Sequence, residues 1–68
     1  MTVLDRVAQA IAHQLGSDDW MDYRNAARAA VMALREPSPG MLEAAMPDVP
    51  DWGYLPDDWR KMIDFVAH

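Results

Sequence analysis

Four aspartates lie close together in one proline-rich stretch, and their carboxylates are the first side chains in this chain that could do chemistry. They are Asp48, Asp51, Asp57 and Asp58. Carboxylates bind Ca²⁺, and two carboxylates at a fixed separation can act as the acid and base of a hydrolase. The spacing lacks the alternating acids, central glycine and closing glutamate of an EF-hand loop. Asp57 and Asp58 are better explained as charges at a helix N-terminus. We therefore expect no metal site and no carboxylate-based catalysis.

The other reactive side chains form no catalytic group either. His13 lies on the polar face of a predicted helix, His68 is the last residue, and Ser17 and Ser38 each precede a predicted helix, where a hydroxyl acts as a cap. The chain contains no cysteine, which excludes disulfides and thiolate metal sites. It also contains no glycine-rich phosphate loop. The sequence predicts a protein that is not an enzyme and has no cofactor.

The charge is negative and unevenly distributed. The net charge is −5; residues 1–35 balance four acids with four arginines, whereas residues 36–59 contain six acids and no lysine or arginine. An acidic surface is repelled by phosphate backbones, so nucleic acid is not an expected partner.

No segment approaches the ~20 apolar residues that span a bilayer, and the first sixteen residues lack the pattern of a signal peptide. We expect a soluble, cytoplasmic protein.

Apolar residues recur at helical spacing through most of the chain and predict an all-α fold. We expect one domain over residues 1–68, a compact bundle of three to four short helices. The predicted helices cover about 2–15, 18–36, 39–46 and 56–67, with an extended connection rich in proline, aspartate and aromatic residues at 47–55.

Several residues mark the predicted helix ends. Thr2 and Asp5 have the spacing of a capping box, and Gly16 suits the left-handed position that follows a helix. Ser38 is a cap for the third helix, and Pro56 suits the first turn of the last one.

Alanine is abundant in the second helix, so the core depends on a few large side chains. We expect Trp20, Leu34 and Trp59 to fill it. Met32 and Phe65 lie off the apolar stripes of their helices. Two interpretations are open: both are covered by the core, or together they form an adaptable apolar patch that binds protein.

Arg24, Arg28 and Arg35 lie along one flank of the second helix. One interpretation is a solvated face that pairs with nearby acids. The other is one half of an electrostatic interface with the acidic segment of a second copy.

The segment PDVPDWGY, residues 47–54, also has two interpretations. Its aromatic residues can fold back over the core. Alternatively, Trp52 and Tyr54, flanked by Asp48 and Asp51, form a protein-binding hot spot whose charge steers a basic partner. The second interpretation predicts that Trp52→Ala weakens partner binding and leaves the melting temperature nearly unchanged.

Two stretches, AARAAVMALREPSPGMLEAA (26–45) and DDWRKMIDFVA (57–67), carry a resemblance to a known group. They resemble a group of short uncharacterised proteins from phage and prophage regions of alphaproteobacteria, with the patterns ARAALEALREPSEAMLEAG and WRAMIDAAL. The resemblance covers about half of the chain and implies a phage context, without a catalytic activity. This sequence departs from the group in residues 46–56 and at Phe65 and Val66, where small residues are usual.

Together these observations predict a small acidic phage- or prophage-encoded helical module that binds protein in the host cytoplasm. It would inhibit or modulate a host protein, and a basic host protein fits its charge. The alternative is a minor structural or assembly component of the virion, homo-oligomeric through Met32 and the alanine-rich face.

Overall fold

A computed structural model describes all residues from 1 to 68, and all of its regular secondary structure is helical, with no strand. Its α-helices are α1 (Val3–Gln14), α2 (Arg24–Ala33), α3 (Pro39–Ala45) and α4 (Leu55–Ala67), and a short 3₁₀ helix (Trp20–Tyr23) precedes α2. The predicted all-α fold class is confirmed.

The helix ends follow from local side-chain chemistry. At the start of α1, the Thr2 hydroxyl accepts from the Asp5 N–H at 3.1 Å, and the Asp5 carboxylate accepts from the Thr2 N–H at 3.2 Å. Gly16 follows α1 with φ = 70°, a conformation that costs glycine little. The Ser38 hydroxyl accepts from the Met41 N–H at 3.2 Å, and Pro56 lies in the first turn of α4. The capping box, the glycine stop and both later helix starts are as predicted.

The second helix is shorter than predicted. The predicted range 18–36 is divided into the 3₁₀ helix Trp20–Tyr23 and the α-helix Arg24–Ala33. The Ser17 hydroxyl accepts from the Asp19 N–H, at 3.1 Å and two residues away. It therefore closes a local turn, so the α-helical ladder begins later. At the other end, Pro37 disfavours helical geometry in the residue before it.

The core lies where α1, α2 and α4 meet, and its buried side chains are small or medium-sized. They are Leu4, Ala8, Ala27, Val31, Ile63 and Ala67. Trp20 and Trp59 pack against this cluster but are only half-buried. Leu34 is 54% exposed, so its prediction as a core residue is wrong. It follows the last residue of α2, where the backbone leaves the helix and the apolar stripe no longer points inward.

Ion pairs and hydrogen bonds hold α2 and the residues after it against α4. Arg35 bonds Asp64 at 2.8 Å, and the Trp59 indole N–H donates to the Leu34 carbonyl at 2.7 Å. Arg28 donates to the carbonyl of Ala67 at 2.7 Å, which satisfies an acceptor left free at the end of α4.

The third helix lies outside the packed group of α1, α2 and α4. The molecule is accordingly elongated, with dimensions of 47 × 21 × 18 Å. Leu42 is the one buried residue of α3. This arrangement leaves a furrow between α3 and the beginning of α4.

A candidate protein-binding surface

Five of the eleven acidic residues lie on a part of the molecule that we call the acidic end: α3, the connection 46–54 and the first turn of α4. Arg60 neutralises two carboxylates at its base, Glu36 at 2.9 Å and Asp57 at 3.0 Å. The other acids of the acidic end make no ion pair within the chain. They are Glu43, Asp48, Asp51 and Asp58.

The paired carboxylates stay charged more readily than free ones. A hydrogen bond from Arg60 lowers the pKa of Glu36, and a hydrogen bond from Arg35 lowers the pKa of Asp64. The same contacts raise the pKa of both arginines. These arginines are therefore engaged inside the molecule, and the negative charge of the unpaired acids is left without local compensation.

An apolar groove runs between α3 and α4, and we call it the α3–α4 groove. Its volume is about 130 Å³, and its lining residues are Pro37, Met41, Leu42, Ala45, Leu55 and Trp59. A cavity of about 150 Å³ holds a benzene molecule, so a groove of this size accommodates one aliphatic or aromatic side chain. None of its lining residues is charged.

The connection 46–54 is bent by two turns and is less extended than its composition predicts. The Asp48 N–H donates to the Glu43 carboxylate at 3.2 Å, and Asp48 has φ = 61°, which aspartate tolerates better than most residues. The Asp51 carboxylate accepts from the Gly53 N–H at 2.9 Å. Asp48 and Asp51 are both exposed, and they precede Trp52 and Tyr54 in the chain.

The two aromatic residues of the predicted hot spot differ in exposure. Tyr54 is 80% exposed. Trp52 is half-buried, and its indole N–H is covered without a hydrogen-bond partner in the chain. Tyr54 is therefore available for contact as it stands, whereas Trp52 lies partly against the protein.

The other predicted contact residues, Met32 and Phe65, do not form a joint exposed patch. Met32 is half-buried and packs against the core, whereas Phe65 is 87% exposed on α4. Phe65 lines a separate cleft of about 690 Å³, where α4 ends beside the start of α1 and the arginines of α2. Met32 therefore belongs to the core and Phe65 does not, so neither interpretation of these residues holds for the pair.

The arginine flank is mostly occupied by contacts within the chain. Arg24 bonds Asp5 at 3.2 Å, Arg28 bonds the Ala67 carbonyl and Arg35 bonds Asp64. The interpretation of this flank as a face that pairs with nearby acids therefore accounts for Arg24 and Arg35.

The sequence does not predict the α3–α4 groove. Part of the signal is present, because Met41, Leu42 and Ala45 recur at helical spacing on one side of α3. The prediction of Trp59 as a core residue is incomplete, because this side chain lies between the core and the groove. The position of α3 against α4 depends on the turns in between, which no local pattern specifies.

Two classes of site receive no support from the geometry. No three histidine, aspartate or glutamate side chains come together in a way that could hold a metal ion. Each helix is too short or too polar to cross a lipid bilayer.

Comparisons with protein-family models, curated proteins and solved structures gave no match. The function is therefore inferred from the chemistry of the surface itself.

Proposed function

We propose that this protein is a non-catalytic protein-binding module whose acidic end binds a basic surface on a partner protein. The observation that carries the proposal is the combination of uncompensated carboxylates with exposed apolar side chains on the same end of the molecule. Protein-binding hot spots have this organisation, an apolar or aromatic centre with a polar rim.

The charges supply attraction over a distance. Four acids without an ion pair lie on the acidic end, and Arg35 and Arg60 are held by other carboxylates. Complementary charges raise the association rate of two proteins and suppress binding to partners of the wrong sign. Because the Debye length is about 10 Å at 0.1 M salt, such binding weakens as salt is added.

The apolar side chains supply contact area. Tyr54, Met41 and Met46 are 80%, 42% and 39% exposed, and all three lie on the acidic end. Methionine is flexible and polarizable, which suits a surface that adapts to its partner. Tyrosine adds a rigid ring with a hydrogen-bonding hydroxyl.

The resemblance to phage-associated proteins supplies a context for this binding. In that context the partner is a basic protein in the cytoplasm of the bacterial host, and binding modulates or inhibits that protein. A host protein that binds nucleic acid offers a basic groove, and an acidic module that occupies such a groove blocks it.

A comparison of two charge variants tests the proposal. Asp48→Asn, Asp51→Asn and Asp58→Asn together remove three carboxylates from the acidic end. Asp18→Asn, Asp19→Asn and Asp22→Asn form the matched control, because they change the net charge by the same amount near the 3₁₀ helix.

Each protein is fixed to beads and incubated with host lysate, and the captured proteins are identified by mass spectrometry. We expect the native chain and the control to capture the same basic protein, and the acidic-end variant to lose it. Equal capture by both variants would refute the role of the acidic end.

The second candidate function is a homo-oligomeric component of the virion. Phe65 favours it, because this large aromatic side chain is 87% exposed beside the arginines of α2. The acidic end of a second copy would meet that surface head to tail, an arrangement that extends into open chains. Met32 packs against the core and does not contribute. Size-exclusion chromatography with light scattering tests this candidate, and a strict monomer at high concentration would exclude it.

A further inference from the structure

We propose that residues 37–51, which we call the strap, open away from α4 as a unit while α1, α2 and α4 stay folded, and that the ion pair between Glu36 and Arg60 is the latch of this motion. The strap contains α3 and the first part of the connection that follows it. This inference goes beyond the proposed function and does not depend on it.

No polar contact holds the strap itself to the other helices. All hydrogen bonds of residues 37–51 stay within residues 37–53, as the bond between the Glu43 carboxylate and the Asp48 N–H does. None of the ion pairs includes a residue of the strap. The attachment therefore depends on apolar contact, and Leu42 is the one buried side chain that the strap contributes to it.

The strap also has little stability of its own. With seven residues, α3 is shorter than the ~12–15 residues at which an isolated helix is marginally stable. The core formed by α1, α2 and α4 includes no residue of the strap, so this core loses no contact when the strap leaves. A segment with few buried apolar contacts opens at a lower free energy than the core, and α3 should lose its helical structure as it opens.

A continuous chain of ion pairs joins the residues just before the strap to α4. Arg35 bridges Asp64 and Glu36 at 2.8 and 3.3 Å, and Arg60 bridges Glu36 and Asp57 at 2.9 and 3.0 Å. Glu36 is the central member, because both arginines bind its carboxylate. Ion pairs that form a network stabilise more than isolated surface pairs, and salt weakens them when their members are partly exposed.

The closed strap assembles the acidic end from two parts of the chain. Glu43 and Asp48 belong to the strap, whereas Asp58 belongs to α4. In the open state these carboxylates are no longer held on one surface, and Leu42 leaves the α3–α4 groove. The latch therefore controls whether the acidic end exists as a single surface, and added salt shifts the chain towards the open state.

A protease that cleaves after glutamate reports on the strap, because the chain offers this protease one usable site. Of the two glutamates, Glu36 precedes a proline, which blocks cleavage, and Glu43 lies within α3. Trypsin cleavage after Arg28, within α2, reports opening of the core. Mass spectrometry of the first fragments gives both rates. Each rate is divided by the rate for an unfolded peptide of the same local sequence, and the ratio is the open fraction at that site.

Three variants separate the strap from the core. Glu36→Gln removes the shared carboxylate of the latch and leaves the cleavage site at Glu43 in place. Asp51→Asn is its matched control, because it removes an exposed carboxylate without an ion pair and keeps an oxygen that accepts from the Gly53 N–H. Ile63→Val weakens the core at a position that does not line the α3–α4 groove. Circular dichroism checks that all three keep the native helical signal.

In the native chain, we expect the open fraction at Glu43 to exceed that at Arg28 by at least about tenfold. Ile63→Val should raise the open fraction at Arg28 by about fivefold and leave the value at Glu43 unchanged, because the core stays formed when the strap opens.

Glu36→Gln should raise the open fractions at both sites by about the same factor, roughly threefold, because the latch is broken in the open state and in the unfolded chain alike. Asp51→Asn should change neither. Raising the salt concentration from about 0.05 M to about 0.5 M should increase the open fraction at Glu43 in the native chain, and less so in Glu36→Gln.

Two outcomes would overturn the strap: equal open fractions at the two sites in the native chain, or an equal rise at both sites in Ile63→Val. Either result would mean that α3 opens only when the whole chain unfolds. An open fraction at Glu43 that Glu36→Gln leaves unchanged would overturn the latch. The first comparison needs no variant, so it decides the case of the strap even if a substituted chain fails to fold.

Discussion

The same substitution at two tryptophans should have opposite effects on stability, because their indole N–H groups are in opposite situations. The indole N–H of Trp59 donates to the Leu34 carbonyl at 2.7 Å. The indole N–H of Trp52 is covered and has no partner in the chain. Phenylalanine removes the N–H group and keeps an aromatic ring, so Trp59→Phe and Trp52→Phe compare a satisfied donor with an unsatisfied one.

The magnitudes follow from burial and hydrogen bonding. Both side chains are half-buried, so the smaller ring loses on the order of 0.5 kcal/mol of apolar burial at either position. At Trp59 the lost hydrogen bond adds about 1 kcal/mol, so the variant should be less stable by about 1.5 kcal/mol. At Trp52 removal of an unsatisfied buried donor recovers about 1–3 kcal/mol, which exceeds the loss of burial. Trp52→Phe should therefore be more stable than the native chain.

Urea unfolding followed by the helical circular dichroism signal measures both changes without relying on tryptophan fluorescence. The difference between the variants is at least about 2 kcal/mol, which corresponds to a separation of at least roughly 8–16 °C in melting temperature for a domain of this size. If Trp52→Phe is destabilised as much as Trp59→Phe, the Trp52 indole has a hydrogen-bond partner in solution and the reasoning is refuted. If Trp59→Phe leaves the free energy of unfolding unchanged, water replaces the hydrogen bond to the Leu34 carbonyl without cost.

Three further predictions concern the fold. Arg35 lowers the pKa of Asp64, so this pair contributes stability that is complete above the ordinary aspartate pKa of about 4. That stability is lost as the pH falls through the lower pKa of the folded state. The melting temperature, measured against pH, should therefore decrease below about pH 4, and it should decrease less steeply in Asp64→Asn. Gly16→Ala should lower the free energy of unfolding by about 1 kcal/mol, because φ at this position is 70°. Gly40→Ala, in the first turn of α3, should instead raise it by up to about 1 kcal/mol. Urea unfolding measures both changes, and equal effects would contradict the backbone argument. Ile63→Ala should cost about 2–5 kcal/mol, since the side chain is 7% exposed, and a loss under about 1 kcal/mol would place it outside the core.

The helix ends could be predicted from the sequence because their chemistry is local. The capping box of Thr2 and Asp5 closes within four residues, and Ser38 reaches only as far as the Met41 N–H. Gly16 takes up the left-handed conformation that few other residues adopt at low cost. Interactions of such short range depend on neighbouring residues, so they produce a recognisable local pattern in the sequence.

The core and the candidate site could be predicted only in part because both depend on contacts between distant segments. Leu34 continues the apolar periodicity of α2, but it lies one residue beyond the helix and is exposed. The α3–α4 groove requires Leu42 and Trp59 to approach each other across the connection 46–54. The turns at Asp48 and Gly53 determine that approach, and their direction is not encoded by periodicity.

The composition of the core explains why so much apolar surface is left exposed. Ala8, Ala27 and Ala67 are fully buried, so the helices approach closely and leave little interior volume for large side chains. Tyr54, Phe65 and Met41 consequently remain outside, and Trp59 is shared between the core and the groove. A core this small gives a narrow stability margin, and a partner that binds only the folded chain widens it. Binding to the acidic end would therefore stabilise α3 most, because this helix has the least support from the rest of the fold.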